Sequence, residues 1–97
     1  MRQLGTILIE MESVVNKLSG NGSLTLRMMT FVDRCHEIMI TRLWYDTDQH
    51  FIDELGHDLT SIYEYIMKTP DIASDFYDAL GLMIEFLSTM KILDGTC

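Results

Sequence analysis

The stretch FIDELGHDLTSIYEYIM, residues 51–67, carries the pattern on which the fold turns. Apolar side chains recur at Phe51/Ile52, Leu55, Leu59, Ile62/Tyr63 and Ile66/Met67, in steps of three and four residues. That spacing gathers them on one stripe of an α-helix and leaves Glu54 and His57 off it. A half-buried strand would alternate with period two, and no long segment does so. Gly56 interrupts the helix at a cost of about 1 kcal/mol against alanine, which points to a close helix contact or to simple tolerance.

The same periodicity extends in both directions. Upstream, Asp46-Thr47-Asp48-Gln49 reads as a capping box that starts this helix. Before it, Met28, Phe31/Val32, Cys35, Ile38/Met39 and Leu43 mark a helix ending near Trp44 and Tyr45. Ser19-Gly20-Asn21-Gly22-Ser23 is a flexible link, with Gly20 suited to a left-handed helix close and Ser23 to the next cap. The first stripe is Leu4, Ile7/Leu8, Met11, Val14/Val15 and Leu18. Downstream, Thr69-Pro70-Asp71 has the form of a helix start, with a capping threonine, a proline at the first helical position and an acid beside the positive end. A last stripe runs through Ile72, Phe76, Leu80, Met83/Ile84, Leu87 and Met90 to Leu93.

These signals predict an all-α chain with one domain over residues 1–97 and helices near 3–19, 24–45, 47–68 and 70–92. Short links between long helices make neighbours run antiparallel, so the expected architecture is an antiparallel four-helix bundle. The last helix stands apart. Between Ala79 and Leu87 the sequence ALGLMIEFL is broken only by Gly81 and Glu85. A helix that is apolar nearly all round wants partners on several sides, and a second copy of the chain is the simplest extra occupant. Leu82, Met83, Phe86 and Met90 are the expected contacts of that association. Tyr65, which lies off its own stripe, is expected beside them as an exposed aromatic contact.

Composition narrows the function classes. Apolar residues make up 47% of the 97, more than a thin core of this size needs. The net charge is −8, unevenly spread. Residues 1–45 carry five basic and four acidic groups, whereas residues 46–97 carry two basic and eleven acidic ones. An acidic half repels phosphate backbones, so direct nucleic-acid binding is not expected, and a basic protein surface is the better match. No apolar run approaches the roughly 20 residues of a membrane span. Cys35 on an apolar stripe and Cys97 at the last position do not form a disulfide framework, and with no secretory leader evident the expected location is cytoplasmic.

Chemical constellations are few. Glu54-Leu-Gly-His57 matches Glu-x-x-His and Asp33-Arg-Cys-His36 is its aspartate version, with Glu10, Glu12 and Glu85 as the further carboxylates a di-metal bundle would need. His57 lies two residues from both Leu55 and Leu59, so it points away from the apolar stripe, and Glu54 shares its wet side. His50, Glu54 and His57 share one outer face and remain the weak metal candidates. Asp46-Thr-Asp48-Gln-His50 lacks the glycine and the final glutamate of a calcium loop. Cys35 and His36 are adjacent, hence about 100° apart on a helix, and do not form a nucleophile–base pair. Arg27, Arg34 and Arg42 form a loose basic stripe that could hold a phosphate-bearing ligand or meet an acidic face. The expectation is therefore a non-enzymatic protein–protein interaction module without a cofactor, an adaptor or inhibitor that forms a homo-oligomer. The alternatives are a metal-binding bundle and a phosphorylated-ligand binder.

Overall fold

The apolar stripes wind into four helices, α1 (Leu4–Asn16), α2 (Gly22–Trp44), α3 (Gln49–Lys68) and α4 (Ser74–Gly95). The computed structural model describes residues 2–44 and 49–95, and the side chains of residues 2–40 and 49–92. No strand occurs among the described residues. The capping box at Asp46, the aromatic Tyr45, the side chains of Arg42, Leu43, Trp44 and Leu93, and Cys97 lie outside them.

The helices close a ring of contacts, α1 on α2, α2 on α3, α3 on α4, and α4 back on α1. The α1–α4 contact is the most extensive of the four and α3–α4 the least. Each helix turns one stripe to a shared core. Leu4, Ile7, Leu8, Met11 and Val15 come from α1, and Leu24, Met28, Phe31, Val32, Cys35 and Ile38 from α2. Ile52, Leu55, Ile62 and Ile66 come from α3, and Phe76, Ala79, Leu80, Met83, Phe86, Leu87 and Met90 from α4. The radius of gyration is 13.3 Å, close to the roughly 13 Å of a compact domain of about 100 residues.

The turns differ from their sequence signals. α2 starts at Gly22 rather than near Leu24, because Asn21 and not Ser23 caps it. Asn21 Oδ1 accepts a hydrogen bond from the Leu24 amide at 3.1 Å, and the Asn21 carbonyl accepts one from the Thr25 amide at 2.9 Å. Asparagine caps as strongly as serine, so either residue could have served. α1 ends at Asn16, and Gly20 takes its positive φ of 106° inside the loop rather than at the helix close.

Thr69-Pro70-Asp71 does not open α4. A residue before proline is pushed out of the helical region, so α3 must stop there. The Thr69 hydroxyl donates to the Tyr65 carbonyl at 2.8 Å and closes α3 instead. Asp71 then adopts φ 59°, a left-handed conformation that aspartate tolerates better than most residues, and α4 begins at Ser74. Gly56 is settled too. A Cβ there would meet nothing within 4 Å, so no close helix contact requires the glycine.

Candidate functional site

The basic stripe of α2 faces α3 of its own chain. Arg27 donates to Ser61 Oγ at 2.8 Å, and its guanidinium lies 5.7 Å from the centre of the Tyr65 ring. Arg34 pairs with Glu54 at 2.9 Å and with Asp58 at 3.1 Å. Tyr65 donates its hydroxyl to Asn21 Oδ1 at 3.2 Å. As the α2 residue number rises, that of its α3 partner falls. Arginines at seven-residue spacing keep one helix face, and the acids of α3 lie four apart on the face opposite, which is why the two rows meet.

This arrangement corrects two expectations. Tyr65 is half-buried and tied to the α1–α2 loop, not an exposed contact. Arg27 and Arg34 are engaged within the chain, so they are not a free anion-binding row; the Arg42 side chain lies outside the described residues. A shallow groove of about 360 Å³ does open between α2 and α3, lined by Leu26, Arg27, Thr30, Asp58, Ser61 and Ile62. Asp58 in its wall opposes an anion, so the groove does not match a phosphate.

The metal candidates are dispersed. His50 Nε2 lies 3.9 Å from Glu54, but Glu54 already holds Arg34, and His57 is exposed beside Lys91 in a groove between α3 and α4. His36 contacts Glu12 across α1 and α2, while Glu10 and Glu85 both hold Arg2. Among the described residues no group of three histidine, cysteine or carboxylate side chains is placed to hold an ion. The residues a di-metal centre would need sit on separate outer edges, because their helical phase turns them away from the core.

Arg2 is the strongest polar tie at the edge between α1 and α4. It reaches Glu10 at 2.6 Å and makes a two-pronged contact with Glu85 at 2.5 and 2.9 Å. Hydrogen bonding from Arg2 holds the Glu85 carboxyl below its ordinary value, and the guanidinium charge acts in the same direction. A carboxylate whose pKa is lower in the fold than in the unfolded chain adds stability above the ordinary range, and loses it as pH falls through the lowered value. Replacing Arg2 by glutamine is expected to raise the Glu85 titration midpoint, read by carboxyl NMR, back toward the ordinary carboxylate range. An unchanged midpoint would show that Arg2 does not set it.

The outer surface carries what the core does not take. Met83, Phe86 and Met90 are fully buried in the chain's own core, and Leu82 is half-buried against it. Met83, Phe86 and Met90 are therefore not free for a partner, which corrects their expected place on an outward interface, whereas Leu82 keeps part of its surface outside. Met67, assigned by spacing to the core, is 64% exposed, and Tyr63, Tyr77 and Ile84 are each about half exposed. Gly56, Thr60, Tyr63 and Met67 fall on one face of α3, and Tyr77, Ile84 and Lys91 repeat every seven residues along α4. Gly56, Thr60 and Lys91 line the same groove, so the two faces meet along the α3–α4 edge, the seam of the two helices.

Sequence reasoning missed this seam. Spacing put Tyr63 on the apolar stripe, and only the packing of α3 on α4 shows that Tyr63 and Tyr77 stay outside. Among the described residues no helix is long and apolar enough to cross a membrane. No family model, curated protein or solved structure matches the chain.

Proposed function

We propose that the chain is a non-enzymatic protein-interaction module, an adaptor or inhibitor built on an antiparallel four-helix scaffold. The observation that carries this reading is the exposed apolar seam of Tyr63, Met67, Tyr77 and Ile84. Scattered surface apolar residues are ordinary, but a contiguous set beside a closed core is the usual mark of a docking surface. The falling partner order along α2 and α3, with short links at residues 17–21 and 69–73, supports the antiparallel arrangement.

Capture from an extract of the native host tests the reading. Wild-type bait is expected to retain a protein that a Tyr77→Asp/Ile84→Asp bait loses, with both baits equally helical. Identical capture by the two, or none, would sink the seam as a functional surface.

Self-association belongs to the same reading, but on another face. Leu26, Met29 and Ile40 are exposed within about 60° of one another on the outer side of α2, in the half of the chain whose charges nearly balance. A second copy can meet that surface without like-charge repulsion. Light scattering is expected to find a dimer for the wild type and a monomer for Leu26→Asp/Ile40→Asp. A monomer in both cases would remove self-association from the proposal.

A further inference from the structure

On the outer side of α2, Leu26, Met29, Asp33, His36 and Ile40 follow one another in steps of three, four, three and four residues. That is the spacing of a row along which two helices pack on each other over several turns. All five side chains are exposed. At 1.5 Å per residue the row is about 21 Å long. It is apolar towards both ends and charged in the middle. Arg27 and Arg34, which meet α3, stand about 120–140° round the helix from the middle of the row, so the acidic α3 stays clear of it.

The charged middle identifies the occupant. Asp33 has no ion pair among the described residues. His36 meets Glu12 of α1 through Nε2, and its ring has no second partner among the described residues. In a two-fold antiparallel contact, such a row pairs an early position with a late one. Met29 of each copy then meets Ile40 of the other, and Asp33 of each meets His36 of the other. A carboxylate thus faces an imidazole donor twice in one interface. Glu37, beside the row, comes level with Thr30 of the second copy rather than with another acid.

The other arrangements lose this match. Parallel helices set Asp33 against Asp33 and His36 against His36. An antiparallel slip of seven residues seats Asp33 on Met29 and His36 on Leu26 in one direction, and His36 on Ile40 in the other. Each leaves a polar group pressed on an apolar one without a partner.

Resting on the self-association reading, we infer that two copies of the chain pack α2 against α2, antiparallel about a two-fold axis, with Asp33 of each copy paired to His36 of the other. The apolar layers supply the affinity, and the Asp33–His36 layers fix direction and register.

The test is a pair of charge variants read by sedimentation equilibrium, with helical content checked by circular dichroism. The wild type is expected to dimerise. Asp33→Lys sets the introduced lysine against His36, and His36→Glu sets the introduced glutamate against Asp33, twice per dimer in each case. Each variant alone should self-associate at least about tenfold more weakly than the wild type. Mixed in equal amounts they should form a heterodimer of near wild-type strength, because one layer then pairs lysine with glutamate and the other Asp33 with His36. A dimer that neither variant weakens, or variants that stay apart on mixing, would overturn the inference. If Leu26→Asp/Ile40→Asp still dissociates that dimer, the register falls and self-association through α2 stands. A wild-type monomer would remove both.

Discussion

Phe86→Asp is expected to unfold the chain, and Ile84→Asp, two residues away on the same helix, to leave it folded. Phe86 has no exposed surface and lies in the core with side chains from all four helices. Truncating a buried phenylalanine costs about 3–5 kcal/mol. A carboxylate in its place must also be desolvated or protonated, at a further cost of a few kcal/mol. Together these match or exceed much of the roughly 5–15 kcal/mol that holds a small domain folded. Ile84 is 44% exposed, and an outward substitution of that kind stays within about 1 kcal/mol. Circular dichroism and thermal melting distinguish the two. A Phe86→Asp protein that melts within a few degrees of the wild type would place Phe86 on an interface rather than in the core.

Cys35 should react with a thiol reagent at least about a thousandfold more slowly in the folded chain than in denaturant. Its side chain is fully buried on the inner face of α2. Burial raises its pKa, and the negative charge of Asp58 pushes it further in the same direction. Thiolate, not thiol, is the nucleophile, so both the reactive form and the access to it require α2 to open. The measurement uses a Cys97→Ser variant and an aromatic disulfide reagent near pH 8. Labelling should accelerate with denaturant in step with loss of helical signal. A native rate close to that of a free thiol would mean that the inner face of α2 opens readily, contrary to its packing. The same burial explains why Cys35 and His36 do not act together, since His36 points outward to Glu12.

Helix content and the inner stripes were legible because they follow from local chemistry. Steps of three and four residues select one helix face whatever lies opposite, and Leu55, Ile62, Phe31, Met28, Met11 and Leu80 all turn inward as that arithmetic requires. Helix starts were less legible. Asn21 and Ser23 are both competent caps, and Thr69-Pro70 can open a helix or close one, so the outcome depends on which end packs.

The candidate surface depended on the tertiary structure altogether. Pairs such as Ile62/Tyr63, Ile66/Met67 and Met83/Ile84 sit about 100° apart, and a stripe drawn from sequence includes both members. Only the position of the neighbouring helix decides that Ile62, Ile66 and Met83 go in while Tyr63, Met67 and Ile84 stay out. The arginine stripe is the same case, since its spacing was visible but its partners Ser61, Glu54 and Asp58 lie on another helix. Along the chain, hydrophobic periodicity alone determined that four helices form and which broad face of each is apolar. Which edge of that face is covered depends on contacts between residues distant in sequence, and no local spacing encodes them.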